Sequence, residues 1–209
     1  MTGTLYVRLS QYCSSLEEEF NSIPKTRQGD LLKLSHYLKQ KWSQHIAPKI
    51  IVICTHNSRR SHLGQLWLAT GAAYYGLGKI ETYSGGTEAT AFNPRAVAAA
   101  QRAGFQISTN DETVSNPQYQ ITWQDDMTPY VAFSTRFDTP PNPTENFGAI
   151  MVCTSADEAC PYVPGADFRI ALPFNDPKAY DGTDLESAKY DEACRLIGRE
   201  MLFVLANAK

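Results

Sequence analysis

From residue 49 onward, the chain alternates short apolar runs with helical stretches, and this alternation most constrains its fold. Ile50–Ile53 predicts a buried strand, and Ser61 to Tyr75 has the periodicity of a helix. Three further strands and two further helices are predicted at residues 79–83, 149–153 and 168–172, and at 93–104 and 183–206. Strands that alternate with helices form a parallel sheet covered on both faces. We therefore expect a three-layer α/β fold with a four-stranded parallel sheet.

Two segments fall outside this alternation. Residues 1–48 carry leucines at helical spacing, and Pro48 ends this part because proline cannot continue a helix. We interpret them as an N-terminal helical hairpin that extends a main domain of residues 49–209. Residues 109–148 hold five of the twelve prolines and two aromatic runs, which indicates an inserted hairpin with loops.

The composition excludes several classes of function. With 43% apolar residues the chain can build a core, which excludes general disorder. A net charge of −3 argues against a dedicated nucleic-acid binder. No apolar run approaches the roughly 20 residues of a membrane span, and no secretion signal opens the sequence. We therefore expect a cytoplasmic protein whose five cysteines are thiols rather than a disulfide framework.

The first chemical signal is the sequence Cys54-Thr-His-Asn-Ser-Arg-Arg-Ser61, at the junction of a buried strand and a helix. Backbone amides at such a junction can surround a tetrahedral oxyanion, and the same field favours a cysteine thiolate, the nucleophilic form. The guanidinium of Arg60 could hold two oxyanion oxygens. The alternative is a structural cysteine beside solvated arginines. The predicted oxyanion-binding residues are Thr55, His56, Asn57, Ser58, Arg59, Arg60 and Ser61.

This loop and its flanks resemble the signature of the low-molecular-weight protein tyrosine phosphatase superfamily, which includes the thioredoxin-coupled arsenate reductases. The segments that start at Tyr83 (Tyr-Ser-Gly-Gly-Thr-Glu) and at Phe92 (Phe-Asn-Pro-Arg-Ala) resemble the next two motifs of that superfamily. Asp176-Pro177 resembles its late Asp-Pro, although the same pair is common in ordinary turns. The resemblance implies that Cys54 attacks the central atom of an oxyanion, that Arg60 holds its equatorial oxygens, and that Asp176 protonates the departing oxygen.

The second signal is the pair Cys153 and Cys160, seven positions apart after a predicted strand. That strand ends at the same sheet edge as Cys54, so three thiols could converge. The spacing resembles the redox segment of thioredoxin-coupled arsenate reductases. This implies that Cys153 attacks Cys54 and that Cys160 then moves the disulfide to the surface. The alternative is a buried core cysteine followed by a loop thiol.

The sequence departs from the reductase pattern at three positions. The reductases commonly have glycine where His56 stands and a small or thiol residue where Arg59 stands. A carboxylate that helps some of them bind potassium corresponds to Gln65, so a potassium site is not predicted. In a phosphatase, Phe174 and Tyr180 could contact a phosphotyrosine ring.

Residues outside these motifs are candidates for a substrate site or for the core. Trp123, Tyr130 and Arg136 could line a substrate site in the insertion. Cys13 and Cys194 lie on apolar helical stripes and are interpreted as core residues. No metal site is predicted, because the histidines have no partners at metal-ligand spacing.

Three functions remain open at this point. The leading hypothesis is reduction of arsenate to arsenite by a relay of Cys54, Cys153 and Cys160. It needs no bound cofactor, and thioredoxin or another thiol would be the external reductant. The second is hydrolysis of phosphotyrosine or another phosphate ester by Cys54, Arg60 and Asp176. The third is a non-catalytic, phosphate-binding regulatory module. The predicted partners are a small oxyanion or phosphotyrosine and a thiol reductant, with no nucleic acid and no membrane.

Overall fold

The computed structural model describes residues 4–111, 113–159 and 162–209. Its helices are α1 (Val7–Glu17), α2 (Lys25–Ser43), α3 (Arg60–Tyr74), α4 (Pro94–Ala103), α5 (Thr154–Ala159) and α6 (Glu186–Ala206). Short 3₁₀ helices lie at Phe20–Ser22 and Pro177–Tyr180. The strands are β1 (Lys49–Cys54), β2 (Glu81–Gly86), β3 (Gln106–Thr109), β4 (Tyr119–Thr122), β5 (Tyr130–Ala132), β6 (Phe147–Met151) and β7 (Ala166–Ala171).

Four strands form one parallel sheet in the order β2-β1-β6-β7. In the central strand β1, Val52 lies between Ser84 on β2 and Ile150 on β6. Every residue of β1 after Lys49 is buried, as expected for a strand that is covered on both faces. The predicted three-layer α/β fold with a four-stranded parallel sheet is confirmed.

The carboxyl ends of the four strands lie on one edge of this sheet. Ligands of parallel α/β proteins collect at such an edge, because loops from several strands meet there. The chain leaves β1 at Cys54 into the loop that precedes α3, and leaves β6 just before Cys153. The segment after β7 contains Asp176. The residues predicted to act chemically therefore follow three strands of the same sheet.

Some predicted element boundaries differ from the structure. Strand β2 runs to Gly86 instead of ending at residue 83, because the Ser-Gly-Gly segment pairs in register with the end of β1. Helix α6 begins at Glu186 instead of residue 183, after a turn that follows the 3₁₀ helix. Helix α4 is as predicted. The side chain of Asn93 accepts from the amide of Arg95 at 2.9 Å, and Gly104 ends the helix at a φ of 120°.

The two N-terminal helices pack mainly against α6. Their inward leucines belong to the same hydrophobic core as the central sheet; they are Leu9, Leu16, Leu31, Leu34 and Leu38. Helix α2 also contacts β7, the strand that leads to Asp176. The division into an extension of residues 1–48 and a main domain stays a prediction, but the first 48 residues share the core of the main body.

Within the predicted insertion, β4 and β5 form an antiparallel hairpin, and β3 pairs with β4 to complete a three-stranded sheet. The hydroxyl of Tyr130 donates to the carbonyl of Thr82 at 2.8 Å, which ties this small sheet to β2. A Cβ added at Gly85 would lie 2.4 Å from the Cα of Phe137, so the chain approaches β2 at a distance that only glycine allows. No helix among the described residues is long and apolar enough to cross a bilayer.

Candidate active site

The loop between β1 and α3, residues 54–59, directs its carbonyl groups outward; we call it the phosphate loop. Five successive carbonyls, of residues 54–58, accept hydrogen bonds from groups outside the loop, at 2.8–3.2 Å. The donors are the amides of Thr87, Glu88 and Asn93, the hydroxyls of Thr87, Thr90 and Ser134, and the ring of His62. Within the described ranges, no group accepts a hydrogen bond from the amides of residues 55–59. Carbonyls that are fixed outward and amides that stay available are the arrangement that binds an oxyanion.

Asn57 holds the turn of the phosphate loop. Its φ of 44° lies in the left-handed region, which asparagine tolerates better than most residues. The side-chain amide donates to the hydroxyl of Ser61 at 2.9 Å, and its oxygen accepts from the amide of Thr135 at 2.8 Å. The side chain of Asn57 is therefore fixed from both ends and does not extend into the anion site.

The nucleophile candidate Cys54 ends β1 and is 4% exposed. Its sulfur lies 3.1 Å from the hydroxyl of Ser61. Because that hydroxyl already accepts from Asn57, its own proton can be donated to the sulfur. Such a donation stabilises a thiolate.

His62 supports the same turn, a role that was not predicted from the sequence. Its Nε2 lies 3.0 Å from the carbonyl of Asn57, and its Nδ1 lies 3.1 Å from the hydroxyl of Ser84. Burial lowers the pKa of His62 to about 3, so the ring is neutral near pH 7. The Asn57 carbonyl can only accept, so the ring proton is on Nε2 and Nδ1 accepts from Ser84. The only sequence signal for this role is the position of His62 directly after Ser61.

The guanidinium of Arg60 faces the segment of residues 173–176, which we call the acid loop. Nη1 donates to the carbonyl of Phe174 at 2.8 Å, and Nη2 lies 2.6 Å from the Asp176 carboxylate. The other carboxylate oxygen of Asp176 accepts from the amide of Lys178 at 3.0 Å and caps the 3₁₀ helix. The structure thus places Arg60 and Asp176 next to each other at the mouth of the phosphate loop.

Arg59 points away from the loop. Its Nε donates to the hydroxyl of Tyr190 on α6 at 2.7 Å, and its Nη2 lies 3.5 Å from the carboxylate of Asp181. Tyr190 in turn donates to Asp181 at 2.8 Å. The side chain of Arg59 thus anchors the start of α3 to α6, and only its backbone borders the predicted anion site. His56 lies instead at the rim, 3.7 Å from Glu88, with 44% of its side chain exposed.

Cys153 lies in the same cleft as Arg60 and Asp176. The cleft has a volume of about 420 Å³ and is lined by Thr55, His56, Arg60, Cys153, Thr154, Ser155, Phe174, Asn175 and Asp176. The sulfur of Cys153 is 3.4 Å from the hydroxyl of Thr55, the residue that follows Cys54. Cys54 and Cys153 are both free thiols. The third predicted redox residue, Cys160, lies outside the described residues.

Part of the insertion forms a strap beside the phosphate loop (residues 134–137). The hydroxyl of Ser134 donates to the carbonyl of His56 at 3.2 Å, and the amide of Thr135 donates to Asn57. The strap also pairs with Gly86 through two backbone hydrogen bonds, at 2.9 and 3.0 Å. A Cβ on Gly86 would lie 2.6 Å from the carbonyl oxygen of Thr55, which explains the second glycine of the Ser-Gly-Gly segment.

Of the other candidates, Tyr130, Trp123 and Tyr180 do not line this cleft. Tyr130 is bound to β2 by its hydroxyl, and Trp123 packs beside it with ring centroids 6.2 Å apart. Arg136 is near the site, since it donates to the carbonyl of Thr87 at 3.0 Å. Tyr180 lines a separate pocket of about 450 Å³ on the other side of the acid loop.

Cys13 and Cys194 lie in the hydrophobic core, away from the cleft. Cys13 and Cys194 are fully buried, and burial raises the pKa of each thiol to about 12. No group of three or more His, Cys, Asp or Glu residues suitable for a metal ion occurs among the residues that the structure describes.

Comparisons with known proteins point to one family. The family model described as low molecular weight phosphotyrosine protein phosphatase matches residues 49–122. An arsenate reductase of Halalkalibacterium halodurans is 28% identical over 137 residues, covering 66% of this chain and 79% of the reductase. An arsenate reductase of Bacillus licheniformis is 29% identical over 147 residues, covering 70% of this chain and 86% of the reductase.

A low molecular weight phosphotyrosine phosphatase from Vibrio cholerae has the same fold. Its solved structure aligns with a TM-score of 0.52 at 14% identity, over 77% of this chain and 95% of the phosphatase. The family match includes the phosphate loop, β2 and α4, and the shared fold includes the parallel sheet that positions them. Residues 49–122 thus match the low molecular weight phosphotyrosine protein phosphatase family, and the chain has the fold of a solved phosphatase of that family.

Proposed function

We propose that this protein reduces arsenate to arsenite through a relay of Cys54, Cys153 and Cys160. The observation that carries the proposal is the position of Cys153. Its sulfur lies in the cleft that contains Arg60, 3.4 Å from the hydroxyl of the residue after Cys54. Hydrolysis of a phosphate ester needs one thiolate, and a second thiol beside the anion site serves a redox reaction. The curated arsenate reductases among its relatives support the same conclusion.

The first step joins Cys54 to arsenic. The thiolate forms a sulfur–arsenic bond as one arsenate oxygen departs, and Asp176 protonates that oxygen so that it leaves as water. Arg60 and the free amides of the phosphate loop hold the remaining oxygens. Arg60 can bind the oxyanion and stay beside the acid, because its guanidinium already contacts Asp176.

The next two steps move electrons between sulfur atoms. The Cys153 thiolate attacks the sulfur of Cys54, a disulfide forms, and the electron pair of the sulfur–arsenic bond goes to arsenic, which leaves as arsenite. Cys160 then attacks Cys153, which releases the Cys54 thiolate and leaves a disulfide between residues 153 and 160. A dithiol of the thioredoxin class reduces that disulfide and is itself oxidised.

Hydrolysis of a phosphate ester is the second candidate. The cleft wall includes the partly exposed ring of Phe174, directly before Asn175 and Asp176, and this ring is an apolar surface for an aromatic leaving group. This reaction would need Cys54, Arg60 and Asp176, while Cys153 would take no part.

Cysteine variants separate the two reactions. Arsenite production with thioredoxin and thioredoxin reductase is assayed beside hydrolysis of p-nitrophenyl phosphate, for the wild type and for Cys54→Ser, Cys153→Ser and Cys160→Ser. The relay predicts that all three variants lose arsenite production, and that only Cys54→Ser loses any ester hydrolysis. Cys13→Ala is the matched control, because this thiol is buried in the core, and it should retain both activities.

Other outcomes have clear meanings. Arsenite production that survives in Cys153→Ser would overturn the relay. Ester hydrolysis without arsenate reduction by the wild type would support the phosphatase. Absence of both reactions, with phosphate binding observed by calorimetry, would support the non-catalytic module.

A further inference from the structure

The acid loop is held from behind by a residue of the N-terminal part of the chain. Arg27, in the first turn of α2, places its guanidinium carbon 5.0 Å from the ring centroid of Phe174, within the range of a cation–π interaction. Its Nη2 also donates to the carbonyl of Pro173 at 3.3 Å. The same guanidinium therefore contacts two successive residues of the acid loop.

The guanidinium is fixed by a buried carboxylate. Arg27 Nε donates to Glu200 on α6 at 2.9 Å, and Nη2 lies 2.8 Å from the same oxygen. The Glu200 side chain is 7% exposed and that of Arg27 is 18% exposed, so the pair is shielded from solvent. Burial raises the pKa of Glu200, and the contact with Arg27 opposes this shift. A shielded charge pair with this geometry resists rearrangement more than an exposed one.

The contacts continue from Arg27 to the predicted acid. The ring of Phe174 packs on Arg27. The carbonyl of Phe174 accepts from Arg60 at 2.8 Å, and its amide donates to the carbonyl of Val152 at 3.1 Å. Arg60 in turn contacts Asp176 at 2.6 Å. The backbone that carries Asp176 is thus held on one side by Arg60 and on the other by Arg27.

We propose that Arg27 is a positioning residue for the general acid, through which the N-terminal helices set the place of Asp176. The proposal rests on the proposed function in one respect, that Asp176 acts as the acid. Loss of Arg27 would remove the support behind Phe174 and displace Asp176 by a small distance, which is enough to weaken proton transfer. Arg27 itself touches neither substrate nor sulfur.

The test uses three variants of the full chain. Arg27→Met keeps much of the aliphatic part of the side chain and removes the charge. Arg27→Lys keeps the charge and removes the planar guanidinium with its several donors. Arg195→Met is the matched control, because Arg195 also joins α6 to the N-terminal part, through Glu19, but has no contact with the acid loop among the described residues. Thermal unfolding of each variant establishes that it is folded.

The first measurement is ester hydrolysis with a good and a poor leaving group. Expulsion of phenolate, whose conjugate acid has a pKa of about 10 as in tyrosine, needs the general acid far more than expulsion of p-nitrophenolate does. We expect Arg27→Met to lower kcat for phenyl phosphate about tenfold, part of the roughly 10²–10⁴-fold that a general acid contributes. For p-nitrophenyl phosphate we expect less than a twofold change, with Arg27→Lys intermediate and Arg195→Met unchanged for both esters.

The second measurement needs no turnover. Hydrogen exchange at the Phe174 amide, which is bound to Val152, should become faster in Arg27→Met and stay unchanged in Arg195→Met. If Arg27→Met matches the wild type in exchange and in the ratio of the two esters, Arg27 does not position the loop. An equal loss for both esters, with unchanged exchange, would also overturn the proposal. A wild type that turns over neither ester nor arsenate would contradict the proposed function, and exchange would still decide the role of Arg27.

Discussion

Arg60 Nη2 lies 2.6 Å from the carboxylate of Asp176, so the guanidinium that is predicted to bind the anion is in direct contact with the predicted acid. The carboxylate occupies a donor that a bound oxyanion would use. When a dianion enters the cleft, it and the carboxylate of Asp176 compete for the donors of Arg60. Protonated Asp176 is the form that can deliver a proton to the departing oxygen.

Asp176→Asn should therefore separate binding from turnover. The amide cannot supply the proton, so we expect kcat for phenyl phosphate to fall by roughly 10²–10⁴-fold. It also removes a negative charge beside the anion, which is worth about 1 kcal/mol at a partly exposed site, so phosphate should inhibit about fivefold more strongly. Steady-state kinetics with phosphate as a competitive inhibitor measure both effects. Weaker inhibition by phosphate would contradict the competition for Arg60.

The two adjacent arginines should respond differently to substitution. Arg59 is bound to Tyr190 on α6 and to Asp181, which follows the second 3₁₀ helix, so Arg59→Met should lower the free energy of unfolding by about 1–3 kcal/mol, the cost of leaving buried polar partners unpaired. Arg60→Met should change stability less and abolish oxyanion binding. Urea unfolding and phosphate calorimetry on both variants make the comparison. Loss of phosphate binding in a folded Arg59→Met would mean that this side chain also reaches the anion.

His62 should make stability fall in mild acid. Its pKa is about 3 in the folded protein against 6.5 for an ordinary histidine, so below about pH 6.5 the unfolded chain takes up a proton that the folded protein excludes. Stability is unaffected above that pH and falls by about 1.4 kcal/mol for each pH unit toward pH 3. Replacement by glutamine removes the titration.

Urea unfolding at pH 7 and pH 5 measures this contribution. The loss of stability between the two pH values should be about 2 kcal/mol smaller in His62→Gln than in the wild type. An exposed histidine, His36, is replaced by glutamine as the control and should leave the pH dependence unchanged. Equal pH dependence in all three proteins would mean that His62 is protonated in the fold.

The cysteines should divide by reactivity. Cys13 and Cys194 have pKa values of about 12 because they are buried, so iodoacetamide at pH 8 should modify neither in the folded protein. Cys54 directly precedes Thr55, which lines a cleft of about 420 Å³, and it should be alkylated, with protection by phosphate. Mass spectrometry after digestion identifies the labelled positions. Labelling of Cys194 before Cys54 would contradict this order.

The sequence predicted the sheet and the phosphate loop because both depend on local patterns. A short apolar run before a Cys-x5-Arg segment and a helix predicts a strand and a turn within a dozen residues, and the anion site proposed there stays a prediction. Asp176 was found through a two-residue resemblance, and the structure brings it to Arg60, 116 positions earlier in the chain. The two residues meet because parallel strands end at one edge of the sheet, and the role of Asp176 as the acid stays a prediction.

The contacts that the sequence did not predict join distant segments with no periodic signal. Arg27 and Glu200 are 173 positions apart, and each alone resembles a solvated charge. Arg59 was grouped with the anion-binding residues because it precedes Arg60, but successive side chains at a helix start point in different directions, and its partner Tyr190 lies 131 positions later. The strap at Ser134 lies in a proline-rich segment whose path no pattern specifies.

Ser134 should affect turnover through the phosphate loop. Its hydroxyl donates to the carbonyl of His56 and accepts from the amide of Thr90, so Ser134→Ala leaves that amide unpaired and loosens the loop. We expect kcat to fall several-fold, about the effect of 1 kcal/mol, with recovery in Ser134→Thr because threonine restores the hydroxyl. Thr113→Ala is the control and should leave kcat unchanged, because Thr113 lies in the same insertion and its side chain bonds, among the described residues, only to Asp111. Equal kcat in all of these variants, measured on one substrate at saturation, would mean that the strap does not set the geometry of the loop.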